Sequence, residues 1–427
     1  VTNKIALDSL EPVAGNGLLH RRLFLRQGAA MLGATGLSFL TARAAQAAPP
    51  DVPAWMKTPG APLSGYGSRS SHEAGVQRLV GAQPGTTGSG SSRTPLESLE
   101  GIITPSALHF ERHHSGVPEI DPAQHQLLIH GLVERPLIFS MEALLRYPLV
   151  SRIHFLECSG NSGGNNAPEP PQTTAGGIHG LLSCSDWTGV PLSILLDEAG
   201  VKPEGKWLLA EGADAAAMSR SVPMAKAMDD AFLALYQNGE RIRPEQGYPV
   251  RLFLPGYEGN TNVKWLRRLK VTAEPTMTKD ETSKYTDLKR DGRALMFTFP
   301  MGVKSVITQP SGMQSMQGPG LYQISGVAWS GSGRIRRVEV SADGGKTWAQ
   351  AAIDGLVLPR ALVRFRAPWR WNGSASVLMS RATDEQGNVQ PTRTALLDER
   401  GAAYRYHYHA IQSWSVTAAG EVRNVYA

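Results

Sequence analysis

Ser151-Arg152-Ile153-His154-Phe155-Leu156-Glu157-Cys158-Ser159-Gly160-Asn161 reads as a strand running into a tight Ser-Gly-Asn turn, with a cysteine where the strand ends. The β-branched and aromatic residues support the strand, and Gly-Asn marks the turn. A thiol at that point stands on a rigid element and faces a loop that a ligand can reach. Cys158 and Cys184 are the only cysteines in 427 residues. On this stretch alone four readings of Cys158 stand open. It is an inert packed thiol, half of a disulfide with Cys184, a thiolate ligand to a soft or high-valent metal, or a nucleophile.

Outward from this stretch, the N-terminus reads as an address. His20-Arg21-Arg22-Leu23-Phe24-Leu25-Arg26 places twin arginines before a mildly apolar run from Gly28 to Thr41, and Ala45-Gln46-Ala47 offers small residues for cleavage. That layout predicts a twin-arginine signal peptide over 1–47 and a periplasmic location. The apolar run is too short and too rich in small residues to serve well as a membrane anchor. The pathway exports proteins already folded, often around a cofactor, which favours the metal reading of Cys158. Residues 1–47 carry five basic and two acidic side chains, so half of the net charge of +6 belongs to the address. The remaining charge is too mild for a nucleic-acid binder, and it suits a local site for a small anion.

Residues 48–100 are rich in Gly, Pro and Ser and predict an extended segment. From 101 to 300 short strands and capped helices mix without a regular βαβ rhythm, which predicts an α+β domain. Strands are expected at Gln126–Gly131, Lys206–Ala210, Phe232–Tyr236, Tyr248–Leu254 and Val263–Val271. Helices are expected after the Ser140 cap and from Val190-Pro191 to Ala199-Gly200. From 301 to 427 helix signals fade, short alternating strands recur, and Asp343-Gly344-Gly345 marks a hairpin. That pattern predicts an immunoglobulin-like β-sandwich.

Several side chains could carry chemistry. His109, His113, His114, His125 and His130 cluster in sequence, but their spacing matches no helix-borne zinc motif. Arg112 reads as a surface ion pair or an anion ligand. Arg251 and Lys264 are charges inside apolar segments and want a partner, either a phosphate or a carboxylate. Arg334 sits in a glycine-rich loop, and Tyr285 follows an irregular linker. The tail Tyr404–Trp414 alternates aromatic and basic groups, as a docking surface or as core packing.

Six segments in order resemble the sulfite oxidase family of molybdenum enzymes. They are Phe110-Glu111-Arg112-His113-His114, Glu157-Cys158-Ser159-Gly160-Asn161, Asp186-Trp187-Thr188-Gly189-Val190-Pro191, Tyr248-Pro249-Val250-Arg251, Asn262-Val263-Lys264-Trp265-Leu266 and Val327-Ala328-Trp329-Ser330-Gly331. Within that family, the double His after Arg112, the segment Gly177–Cys184 and the tail Ala410–Trp414 are most similar to its sulfane dehydrogenase branch of bacterial thiosulfate oxidation. The resemblance implies that Cys158 ligates molybdenum beside one molybdopterin and oxo groups. It implies that Phe110, Arg112, His114, Asp214, Arg251, Asn262, Val263 and Lys264 hold the cofactor. Arg112, Tyr285 and Arg334 would line the substrate pocket, Arg334 reaching in from a dimer-forming sandwich.

The implied activity is oxygen-atom transfer to sulfane sulfur on a carrier protein. Electrons would leave to a c-type cytochrome subunit, because no Cys-x-x-Cys-His haem motif occurs in these residues. Two departures stand out: Gly163 replaces an arginine of sulfite-oxidising relatives, and Gln246 replaces a pterin-binding histidine. A periplasmic sulfite dehydrogenase with the same cofactor is the alternative. From another class comes a cofactor-free exported β-sandwich binding protein, with Cys158 and Cys184 paired.

Overall fold

A computed structural model describes residues 12–21, 51–401 and 404–427. The first domain is built on two five-stranded sheets. One runs Ser219–Pro223, Trp207–Gly212, Leu266–Thr272, Gln126–Gly131 and Leu137–Ser140. Its pairing of Leu266–Thr272 with Gln126–Gly131 is parallel, and its other pairs are antiparallel. The second sheet runs Glu240–Arg241, Phe232–Gln237, Leu182–Pro191 and Val150–Glu157, with Arg251–Phe253 added beside Phe232–Gln237. Helices Leu192–Ala199 and Met224–Asp229 close the main core, which includes Leu127, Ile129, Leu195, Leu196, Leu233 and Leu269. The α+β expectation therefore holds.

Local chemistry explains the element ends. Ser140 caps the single turn Met141–Leu144 by accepting the Ala143 N–H at 3.1 Å. The helix after Pro191 stops at Gly200, which takes φ +69°. The strand expected from Val263 begins only at Leu266, because Trp265 takes a left-handed φ of +52°. Lys264 is thereby left on a bend, and it points into a cavity instead of along a ladder.

The C-terminal domain is the expected two-sheet sandwich. One sheet contains Lys304–Gln309, Gly320–Trp329, Val363–Trp371 and Ala352–Asp354. The other orders Ala349–Gln350, Ile335–Ser341, Ser376–Asp384, Ser413–Val416 and Val422–Val425. Trp369, Trp371 and Trp414 fill the space between them. The hairpin Pro12–Ala14 with Leu18–Leu19 extends the first sheet, and Leu18 and Leu19 are buried there. Most of the 1–47 segment lies outside the described residues, including Arg22, the apolar run and Ala45–Ala47. Among the described residues no helix is long and apolar enough to cross a membrane.

The two domains share a buried polar seam. Lys304 of the sandwich donates to Ser162 Oγ at 2.5 Å and to the Tyr408 carbonyl at 2.9 Å, and it lies 3.5 Å from the Glu157 carboxylate. Trp329 Nε1 donates to the same carboxylate at 2.6 Å. The sandwich thus grips the residue immediately before Cys158.

Two buried histidines and a half-buried one predict how stability follows pH. Burial pushes His109 down to about 3, and His154 and His409 down to about 4. The unfolded chain, near 6.5, therefore binds protons that the fold refuses. Stability should fall as pH drops below about 6.5, by up to about 1.4 kcal/mol per pH unit per group, until pH 3–4. Urea midpoints between pH 7 and 4 check this, and a midpoint constant across that window contradicts it. His109→Gln should flatten the slope.

Candidate active site

The strand Val150–Glu157 ends at a cavity open to solvent on one side. Cys158 lies at its floor, 9% exposed. Two backbone bonds fix the turn, Cys158 N–H to the Leu181 carbonyl at 3.0 Å and Asn161 N–H to the Cys158 carbonyl at 2.9 Å. Opposite, a Cβ on Gly259 would stand 2.9 Å from the Glu157 carbonyl oxygen and 3.2 Å from the Cys158 Cα. Only glycine allows that loop so close.

Both cysteines are free thiols. Cys184 pairs across the ladder with Phe155, three residues before Cys158, and the two thiols sit in different cores. Cys158 packs with Phe110, Leu156 and Trp187, and Cys184 with Phe155, Leu182 and Trp329. Opposite faces of the sheet keep them apart. Burial pushes the Cys184 thiol up to about 12, so it stays protonated. Burial also raises Cys158, against a lowering pull from Arg112. A thiolate there calls for a compensating cation, which a metal supplies.

Three cations, Arg112, Arg251 and Lys264, line the cavity, and none of them forms an ion pair among the described residues, although Glu111 and Asp214 share the wall. Arg251, 2% exposed, donates to the Gln246 and Asn262 carbonyls at 3.0 Å each, and it lies over Trp187. Its Nε is buried without a partner, and burial pushes its pKa down to about 9. Lys264 bonds only neutral acceptors: the Glu245 carbonyl at 3.1 Å, the Arg112 carbonyl at 3.3 Å and His113 Nδ1 at 2.7 Å. Burial, then Arg251, drives its pKa well down. Arg112 donates to Gln83 Oε1 at 2.9 Å. Nearby, Glu111 is paired with Arg78 and His113. Asp214 accepts from Ser115 Oγ and the Met218 N–H, both at 3.3 Å. Three cations around one cavity suit a multiply charged anion.

Phe110, His114, Val263 and Asn262 complete the wall. The Asn262 side chain accepts the Leu254 N–H at 2.7 Å, which fixes the loop whose carbonyl holds Arg251. Tyr285 takes φ +54° and its hydroxyl lies 2.8 Å from His114 Nε2. Burial raises its phenol above the usual range and lowers His114 to about 3, so both are neutral. Cys158, Arg112, Tyr285, Arg251 and Lys264, distant in sequence, thus line one cavity.

Arg334 stands apart. It is half-exposed, pairs with Glu385 at 3.5 Å and is absent from the cavity lining. Its backbone N–H also goes to Glu385, at 2.9 Å, so the glycine-rich loop turns its tip outward. The sandwich reaches the site instead through Trp329 and Lys304. The tail also takes part in an unexpected way: Tyr404, Tyr408 and Ala410 are core, while the His407 N–H donates to the Ser159 carbonyl at 2.7 Å.

Sequence reading did not find Arg220. Fully buried, it binds Glu258 at 3.2 Å and also Asn260, and it lies over the Tyr285 ring. Asn260 in turn donates to Ser159 Oγ at 2.9 Å. No local pattern marks these residues, because their partners come from separate loops.

The sequence matches two family descriptions, "Oxidoreductase molybdopterin binding domain" over 114–279 and "Mo-co oxidoreductase dimerisation domain" over 296–413. It is 31% identical over 330 residues to sulfite oxidase of Gallus gallus, covering 71% of this chain and 72% of that protein. It is also 31% identical to a nitrate reductase [NADH] of Solanum lycopersicum, covering 74% of this chain but only 39% of that protein. The crystal structure of the sulfane dehydrogenase SoxCD from Paracoccus pantotrophus superposes with a TM-score of 0.85 and 47% identity. It covers 88% of this chain and 97% of that one. The buried cysteine, the unpaired cations of the cavity and these matches agree: the chain belongs to the sulfite oxidase family of molybdopterin oxidoreductases.

Proposed function

We propose that this protein is the molybdenum subunit of a sulfane dehydrogenase, oxidising sulfane sulfur on a carrier protein towards sulfonate. The observation that carries this reading is the 47% identity to SoxCD across nearly all of that chain, against 31% to sulfite oxidase.

The residues present fit the cofactor. Cys158 is the available soft ligand, and the orphaned Arg251 Nε and neutral-partnered Lys264 await a phosphate-bearing group. Phe110, His114, Asp214, Asn262 and Val263 would flank it. When bound, molybdenum with its oxo groups supplies two-electron oxygen-atom transfer. Arg112 attracts an anionic sulfur group, and the neutral Tyr285 phenol donates a hydrogen bond to it without competing as an anion. The deep cavity limits water and strengthens both contacts.

The rest of the assembly is proposed on the same basis. Electrons pass to a c-type cytochrome partner. The sandwich forms a homodimer, in line with its dimerisation-domain match. The twin arginines direct export to the periplasm. Cleavage after Ala47 would also remove the Leu18–Leu19 hairpin from the sandwich, so N-terminal sequencing of periplasmic protein tests the export reading. Residues before Ala48 in that fraction would contradict it.

The deciding assay compares kcat/KM for carrier-bound sulfane sulfur and for free sulfite. Carrier-bound sulfur should lead by about tenfold or more, the scale of one charge-assisted contact. Equal rates would favour a sulfite dehydrogenase, the reading supported by the sulfite oxidase relatives. Gly163 does not line the cavity that holds Cys158; it faces a neighbouring one, where a Cβ would stand 3.6 Å from the Arg405 carbonyl oxygen.

A further inference from the structure

A second cavity borders the turn that carries Cys158. Gly160, Gly163 and Gly164 of that turn form one wall, with Thr173 and Ile178 beside them and Arg93 at one side. It shares no lining residue with the cavity that holds Cys158. Arg93 ends the strand Gly90–Arg93, and its Nε is buried without a hydrogen-bond partner. It makes no ion pair among the described residues. The nearest acid in sequence, Glu97, accepts the Gly176 N–H at 2.7 Å instead. Arg93 is half-buried, its Nε sealed without a partner, and a guanidinium with no ion pair at the edge of a cavity suits an oxyanion through its planar fork. The remaining walls are mostly glycine and aliphatic, with the hydroxyl residues Ser162 and Thr173 among them, so the cavity accepts a compact anionic head on an apolar neck.

We propose that this cavity is a second oxyanion subsite, in which Arg93 binds a sulfur oxyanion: either free sulfate or the sulfonate carried on a protein cysteine. The anion site rests on Arg93 and its cavity. Only the choice of sulfur rests on the proposed function.

Isothermal titration of the molybdenum-loaded protein tests it, with sodium sulfate, sodium phosphate and a short peptide bearing S-sulfocysteine as separate probes. The wild type should bind two equivalents of sulfate or of the peptide. Arg93→Met should weaken one of them by about tenfold or more, Arg112→Met the other, and Arg93→Lys should keep a weakened second site. Two equivalents of the peptide but not of sulfate would assign the site to protein-borne sulfonate, and the reverse would assign it to free sulfate. A single equivalent in the wild type, or an unchanged isotherm for Arg93→Met with an unchanged melting temperature, overturns the proposal. Phosphate binding as tightly as sulfate overturns the choice of sulfur. Because the isotherm needs no turnover, failure of the carrier assay above leaves this result readable.

Discussion

Cys158→Ala protein, made in a host that synthesises molybdopterin, is expected to hold less than about a tenth of the wild-type molybdenum and to lose activity by roughly a thousandfold or more. Loss of a mere orienting group around a metal typically costs about 10–100-fold, and Cys158 is here the proposed ligand itself. The folded structure should survive, because the thiol at 9% exposure contributes little packing volume and the turn is fixed by backbone bonds. Elemental analysis beside a thermal melt separates the two effects. A variant with full molybdenum content would remove Cys158 from the site. Cys184→Ala is the control. Its thiol is sealed in another core, so it should keep its metal and lose only the stability of a small buried side chain.

Lys304→Met is expected to lower the unfolding free energy by about 3–5 kcal/mol, because it strands a buried carboxylate. Glu157 is 1% exposed and would keep only Trp329 Nε1 and Asn161 Nδ2 as donors. The double variant Glu157→Gln with Lys304→Met should recover much of that loss, since no net charge is then left inside. By contrast, Arg146→Ala breaks an exposed i,i+4 pair with Glu142 and should change stability by only about 0.5 kcal/mol. Denaturant melts of the four proteins test the contrast. A Lys304→Met protein as stable as the wild type would show that the seam does not hold the domains together. The comparison bears on function because Glu157 precedes Cys158, and Ser162, which also binds Lys304, belongs to the same turn.

Much of the fold was legible because local rules decided it. Strand alternation, the Ser140 cap and the Gly200 stop each follow from neighbours in sequence, and the ordered motifs pointed to the cavity that holds Arg251, Lys264 and Cys158. Arg334 shows where that reasoning ends. A glycine-rich loop can turn either way, and Glu385, reached only after the sandwich has folded, draws its arginine outward. Lys264 shows the same limit on a smaller scale: a left-handed Trp265 ends the expected strand and turns the lysine inward.

The sequence by itself determined the domain types and the family, and it singled out Cys158 at the end of its strand, because these rest on residue type and short-range order. Tertiary structure alone decided which charges meet. It set Lys304 against Glu157, Arg220 beneath Tyr285, His407 against Ser159 and Arg93 beside a cavity without a counter-charge. Each depends on a partner far away in the chain, and the energy of a buried charge is fixed by the partner it finds once water has gone.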